Sequence, residues 1–181
     1  MRNSRLYVDQ PSHHRLFKKF IVFHIDRTHN MPYRDVYGVN WEFVNNYYQR
    51  LGYTCIQVGK GAHEDVGTYF HTETRQMLLY LLAGADAVCA IDSGVAQISV
   101  ALGKPTAIFT GSVDLKLRYV GFDNIQVIKN KCPKPELEYC YHTAVSTTGV
   151  KCVINEKEPP CTKNFHEWQV VGALNKLLNL N

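Results

Sequence analysis

Short apolar runs rich in β-branched residues alternate along the chain with longer segments whose apolar residues recur at helical spacing. Because parallel strands need a crossover long enough for a helix, this alternation predicts βαβ units. We therefore predict an α/β fold, a Rossmann-like parallel sheet with helices on both faces. The predicted strands are 19–25, 54–59, 87–92, 105–111 and 125–129, and the predicted helices are 41–52, 74–86, 93–103 and 165–178.

Two stretches depart from this alternation. Residues 1–18 show no clear periodicity, which predicts a tail or linker ahead of a single domain at 19–181. Residues from about 131 to 162, the cysteine-rich segment, are irregular and hold four of the six cysteines. A loop of that length inside a compact domain needs something to hold it together.

Composition narrows the classes of function. Hydrophobic residues make up 45% and charged residues 20%, the balance of a globular domain rather than a disordered chain. A net charge of +4 without a basic run makes nucleic acid an unlikely partner. The polar N-terminus lacks the apolar stretch of an export signal, and no segment approaches the ~20 apolar residues of a membrane span. We therefore expect a cytoplasmic protein with no membrane span, in which stable disulfides are disfavoured.

One strand–turn–helix junction has the chemistry of an anion site. The strand that ends near Asp92 is followed at once by Ser93, Gly94 and Val95, which open the next helix. In open parallel sheets such junctions lie at the carboxyl ends of the strands, where helix N-termini present free N–H groups. We predict that Ser93, Gly94 and Val95 bind a diphosphate, and that Asp92 meets sugar hydroxyls or caps the helix. A simple capping turn is the alternative.

The same stretch resembles a known family. Asp-Ser-Gly at 92–94, Ala-Leu-Gly-Lys-Pro at 101–105 and Phe-Thr-Gly-Ser at 109–112 are similar to the signature of family-nine glycosyltransferases, the ADP-heptose heptosyltransferases. The resemblance runs from about residue 19 to the end of the chain, apart from the cysteine-rich segment. It implies the C-terminal, donor-binding half of a GT-B fold, with a nucleotide-diphosphate sugar as substrate.

The resemblance implies three further donor-binding positions. Arg34 lies where the family has a basic residue that meets the donor, although a solvated loop arginine is the alternative. Glu64 lies where the family has a glutamate for the ribose hydroxyls, and a surface acid that caps the next turn is its alternative. Gln97 stands where the family usually has a histidine, so it can hydrogen-bond to the leaving phosphate but brings it no charge.

The cysteine-rich segment predicts a metal site. Four thiolates suit a tetrahedral metal ion, and protein heptosyltransferases, which the chain resembles, carry a four-cysteine iron-binding finger at this place. The residues leave iron and zinc both open, and two disulfides or free thiols are the alternatives. We expect the metal to stiffen the segment or build an oligomer contact. The four predicted ligands are Cys132, Cys140, Cys152 and Cys161.

The function implied by the resemblance is transfer of a sugar from a nucleotide-diphosphate donor to an acceptor. Such an enzyme needs a general base for the acceptor hydroxyl, and in these relatives the base comes from an N-terminal half that this chain lacks. An N-terminal-half subunit or a homo-oligomer is therefore an expected partner, and the catalytic residues stay unknown. The alternatives are a non-catalytic nucleotide-sugar-binding module and a metal-clipped assembly domain, that is, an assembly domain whose cysteine-rich segment is held together by the metal.

Overall fold

The computed structural model describes residues 17–25, 34–61, 65–140, 152, 154–155 and 159–180. The predicted element order is confirmed there. One short strand, one short α-helix and two 3₁₀ turns, Pro135–Leu137 and Pro160–Thr162, are added to it. The strands are β1 (Phe20–His24), β2 (Thr54–Gln57), β3 (Thr68–Tyr69), β4 (Ala87–Ile91), β5 (Thr106–Thr110) and β6 (Ile125–Lys129). The helices are α1 (Trp41–Arg50), α2 (Arg75–Gly84), α3 (Gly94–Ala101), α4 (Leu115–Arg118) and α5 (Glu167–Leu178).

The strands form one sheet in the order β3-β2-β1-β4-β5-β6, and every pairing along it is parallel. The chain builds outward from β1 in one direction through β3, then returns to the other side of β1 with β4. The order therefore reverses between β1 and β4. This is the doubly wound arrangement of a Rossmann-like fold, and the predicted fold class is confirmed.

Helices cover both faces of the sheet, because each central strand is apolar on both sides. On one face α1 and α5 pack on alternate strand residues such as Phe23, Cys89 and Phe109. On the other face α2, α3 and α4 pack on the intervening residues, among them Val22 and Ile108. Both central strands β4 and β5 are buried along their full length.

Side chains fix where the main helices begin. The Asn40 side chain accepts from the Phe43 amide at the start of α1, and the Thr74 hydroxyl accepts from the Met77 amide at the start of α2. Helix α5 begins with a capping box, in which the Gln169 side chain accepts from the His166 backbone N–H at 2.8 Å. Helix α3 has no such cap from its own N-cap side chain. None of the described helices is both long and apolar enough to cross a membrane.

Candidate functional site

The point where the strand order reverses concentrates polar groups at the carboxyl edge of the sheet. In doubly wound sheets a crevice opens here, since the connections from the two neighbouring strands leave toward opposite faces. β1 ends at His24, and β4 leads through Asp92 and Ser93 into α3. The register places His24 beside Ala90, so the two chains leave the sheet next to each other.

The first turn of α3 is open to an incoming ligand. Ser93 is the N-cap residue, but its side chain makes no hydrogen bond to the helix amides. Its hydroxyl instead shares a hydrogen bond with Nδ1 of His24 at 3.2 Å. Gly94 is exposed, and a Cβ atom added to it would meet nothing within 4 Å. The free N–H groups and the positive end of the helix dipole therefore face accessible space, an arrangement suited to an anion.

The buried carboxylate of Asp92 connects the turn at 92–94 to Arg118 and Tyr119 at the end of α4. Only 3% of Asp92 is exposed, its Oδ1 accepts from the Tyr119 hydroxyl at 3.2 Å, and Arg118 Nη1 lies 2.8 Å from Oδ2. Oδ2 makes this contact as an ion pair without an aligned hydrogen bond. Burial first, and then the Asp92 charge, raise the pKa of Tyr119, while Arg118 and Arg34 lower it. Asp92 therefore sits among cations and a phenol that hold it in place.

A small pocket lies beside this carboxylate at the ends of β4 and β5. Arg34 and Asp92 both line it, so the structure brings together two of the predicted donor-binding residues. Cys161, from the cysteine-rich segment, also lines the pocket. The other lining residues are Asp35, Phe109, Thr110, Gly111, Ser112, Val113, Thr162 and Phe165.

The remaining predicted residues fall in different places. Val95 is buried in the first turn of α3. Gln97 is exposed one turn into the helix, where its backbone N–H donates to the Ser93 carbonyl at 3.1 Å. Glu64 lies outside the described residues. No sequence pattern singled out the contacts of Arg118 and Tyr119 with Asp92. Those two residues belong to a four-residue helix and its end, too short for periodicity to reveal.

The four cysteines of the cysteine-rich segment are all free thiols. Each is half-buried and without a disulfide bond. Burial, followed by the charges of Cys152, Cys140 and Cys132, raises the pKa of the Cys161 thiol to about 12. Among the described residues, however, no group of three His, Cys, Asp or Glu side chains is placed to hold a metal ion. The donor set has the chemistry of a thiolate site, but the described geometry is not that of an assembled one.

The cysteine-rich segment is connected to the pocket through the backbone. The Tyr37 N–H donates to the Thr162 carbonyl at 3.0 Å, and the Phe165 N–H donates to the Tyr37 carbonyl at 2.9 Å. Two backbone hydrogen bonds therefore join the loop segment after Arg34 to the residues that follow Cys161. This pair of hydrogen bonds, the ladder at Tyr37 and Thr162, holds the segments that carry Arg34 and Cys161 next to each other at the pocket wall.

Solved structures of glycosyltransferases match this fold. No family model matches the sequence, and no curated protein matches it either. The iron-containing dodecameric glycosyltransferase TibC from enterotoxigenic E. coli matches 97% of the chain with a TM-score of 0.68 and 19% identity. E. coli ADP-heptose lipopolysaccharide heptosyltransferase II matches 89% of it with a TM-score of 0.61 and 16% identity. A family-nine glycosyltransferase from Veillonella parvula matches 90% of the chain with a TM-score of 0.60 and 18% identity. The chain shares the fold of these glycosyltransferases.

The match extends over only part of each neighbour. The chain covers 48% of TibC, 46% of the heptosyltransferase and 47% of the Veillonella protein. It therefore spans about half the length of the structures it matches. At this level of identity the likeness establishes the fold, and the site must be judged on its own residues.

Proposed function

We propose that this chain is the donor-binding half of a heptosyltransferase-like glycosyltransferase and that it binds a nucleotide-diphosphate sugar at the carboxyl edge of its sheet. The observation that carries the proposal is the uncapped, open N-terminus of α3 at the reversal between β1 and β4. Diphosphates bind at such points because several backbone N–H groups and the helix dipole act on the same anion. Anion binding alone does not specify a reaction. The neighbours with this fold are glycosyltransferases, which supports sugar transfer as the reaction class.

The proposed reaction transfers the sugar by positioning the donor and stabilising the diphosphate that leaves. Negative charge builds up on the diphosphate as the glycosidic bond breaks, so donors already oriented toward it lower the barrier. The amides of Ser93, Gly94 and Val95 supply such donors, and Gln97 extends the set by one turn of α3. Arg34, on the pocket wall, adds a guanidinium that suits a phosphate or a ribose. Glu64 is proposed for the ribose hydroxyls.

The donor proposed is an ADP-sugar of the heptose type. TibC has been solved in complex with ADP-D-β-D-heptose, and a second neighbour is an ADP-heptose heptosyltransferase. The sequence signature at 92–94, 101–105 and 109–112 supports the same donor. We propose that the base that deprotonates the acceptor hydroxyl comes from an N-terminal half. TibC is dodecameric, which supports assembly of this chain with copies of itself.

Four cysteines are proposed to hold a structural metal, iron or zinc, when the cysteine-rich segment is assembled. The confinement of four cysteines to one short segment supports this, as does the iron of TibC. A bound metal would replace the missing apolar core of the segment and would keep the ladder at Tyr37 and Thr162 in place. No step of the sugar transfer runs through it.

Metal content tests this part of the proposal. We expect the purified chain to carry about one metal ion per molecule, because one tetrahedral site uses all four thiolates. Cys161→Ser should lose the ion, whereas Cys89→Ala, which changes a thiol buried inside β4, should retain it. Elemental analysis by mass spectrometry reads both results. A chain that carries no metal after purification without chelators, or a Cys161→Ser variant that retains it, contradicts the proposal.

Binding of ADP tests the function itself. A ligand that binds the folded state at 100 times its Kd raises the free energy of unfolding by about 2.7 kcal/mol, so ADP should raise the Tm by several degrees. Differential scanning fluorimetry with ADP, UDP and GDP, followed by titration calorimetry, reads the effect and the preference for the base. A metal-clipped assembly domain without a nucleotide site would show no shift with any of them.

A non-catalytic binding module is the second candidate, since the chain spans about half the length of its structural neighbours. It predicts the same stabilisation by ADP. The two candidates separate when the chain is mixed with a matching N-terminal half: transfer of the sugar to an acceptor then appears only if the chain is part of an enzyme. Product formation is read by mass spectrometry of the acceptor.

A further inference from the structure

Helix α3 begins differently from the other α-helices that the structure describes. Serine is among the residues preferred at the N-cap position, yet the Ser93 side chain makes no hydrogen bond to the helix amides. The hydroxyl that could cap α3 is therefore directed elsewhere. Each of the other four described α-helices begins with a side chain that accepts from an amide of its first turn, namely Asn40, Thr74, Asp114 and His166.

The backbone at Ser93 does not explain this difference. Ser93 has φ −148° and ψ 176°, which is the extended conformation that N-cap residues normally adopt. Thr74 lies in the same region, with φ −129° and ψ 156°, and its hydroxyl accepts from the Met77 N–H at 3.1 Å. The direction of the Ser93 side chain, rather than its backbone, therefore keeps the hydroxyl away from the amides of α3.

His24 accounts for that direction. Its Nδ1 atom lies 3.2 Å from the Ser93 Oγ atom. His24 is the last residue of β1, and its backbone is in register with Ala90 on β4, the strand that leads to Ser93. The contact suits either ring tautomer, because a bare Nδ1 accepts from the hydroxyl and an Nδ1–H donates to its oxygen. The parallel pairing of β1 with β4 therefore places an imidazole where it can hold the serine side chain.

A capping hydroxyl and a phosphate would compete for the same N–H groups. An N-cap oxygen accepts from the second or third residue of the helix, here Val95 or Ala96. A phosphate at this helix N-terminus needs the same first-turn donors. The free energy of one cap corresponds to about a five-fold change in an equilibrium constant, and a ligand that had to displace the cap would bind more weakly by that factor.

We propose that His24 is a positioning residue, which holds the Ser93 hydroxyl off α3 so that the first-turn N–H groups stay available to the diphosphate. The inference rests on the proposed function. His24 acts through Ser93, and it is assigned no contact with the donor and no part in proton transfer.

Amide hydrogen exchange, measured by NMR without ligand, tests the hold on the hydroxyl. In His24→Leu the released Ser93 should cap α3, so exchange at Val95 or Ala96 should slow about five-fold. His24→Asn has a side chain of similar size that retains a polar group near the ring nitrogen, and it should exchange like the unsubstituted chain. His24→Ala replaces the leucine variant if that one folds poorly. Equal exchange at both amides in all variants would overturn the inference.

Thr74→Ala is the matched control for this measurement, because it removes a cap that the structure contains. Exchange at the Met77 amide should become faster, by about the factor that His24→Leu slows exchange in α3. Binding of ADP should not change, since Thr74 begins α2 and lies outside the proposed site.

Titration calorimetry with ADP tests the consequence for binding. His24→Leu should weaken ADP binding about five-fold, and His24→Asn should bind ADP like the unsubstituted chain. Adding Ser93→Ala to His24→Leu should recover most of the loss, because the backbone N–H groups remain and the competing hydroxyl is gone. A loss that Ser93→Ala leaves in place or deepens would overturn the inference. If the unsubstituted chain binds no ADP, the proposed function fails, whereas the exchange experiment still shows whether His24 holds the hydroxyl.

Discussion

Gly94→Ala is expected to weaken ADP binding by at least about ten-fold while the protein stays folded. The residue opens α3 at the sheet's reversal point, and its missing side chain lets a phosphate approach the helix amides. An added Cβ meets no protein atom within 4 Å, so the methyl group occupies the space that the ligand needs. A ten-fold loss corresponds to about 1.4 kcal/mol, a modest cost for pushing a phosphate off two or three hydrogen bonds.

Gly172→Ala is the matched control for this substitution. Gly172 is also exposed, also lies in a helix, α5, and also has nothing within 4 Å of an added Cβ. Alanine is the better helix former by up to about 1 kcal/mol, so neither variant should lose stability in urea denaturation. Titration calorimetry with ADP should separate them. If Gly94→Ala binds ADP as tightly as Gly172→Ala does, the diphosphate does not lie on this turn.

Asp92→Asn is expected to lower the free energy of unfolding by about 2 kcal/mol. The substitution keeps the shape of the side chain, and its carbonyl oxygen can still accept from the Tyr119 hydroxyl, but it removes the charge that faces Arg118 at 2.8 Å. Breaking a fully buried ion pair costs about 3–5 kcal/mol. We expect the smaller loss of about 2 kcal/mol because the Arg118 side chain is 23% exposed, so water can partly solvate the guanidinium that is left.

Two further variants identify the cause of that loss. Asp123→Asn changes an exposed carboxylate on the connection to β6 and should leave the urea midpoint where it is. Arg118→Met removes the cation together with its need for a partner, so the double variant with Asp92→Asn should be more stable than the sum of the single effects. Strict additivity would show that the Asp92 carboxylate is not held by Arg118.

The sequence was sufficient for the main sheet and its helices because their patterns are long. The run 87–92 is apolar throughout, as expected of a strand buried on both faces, and it became β4. The strand and the α-helix that were missed are short. β3 has two residues and α4 has four, so neither is long enough for its apolar pattern to repeat.

For the candidate site, the sequence predicted the turn formed by adjacent residues but not the contacts between residues far apart in the chain. The turn at 92–94 could be predicted because a strand end, a glycine and a helix start adjoin in the chain. The pairing of His24 with Ser93 joins residues 69 positions apart, and that of Tyr119 with Asp92 joins residues 27 apart. Such contacts depend on the strand order, which a single sequence leaves open.

Amide chemical shifts show whether the N-terminus of α3 holds a diphosphate. In a titration of the ¹⁵N-labelled chain with ADP, the N–H signals of Ser93, Gly94 and Val95 should move most, because a phosphate oxygen becomes their hydrogen-bond acceptor. The Gly172 signal, on the far helix α5, should stay in place. Signals at 93–95 that remain fixed while ADP saturates the protein, or shifts that cluster elsewhere, would contradict the claim.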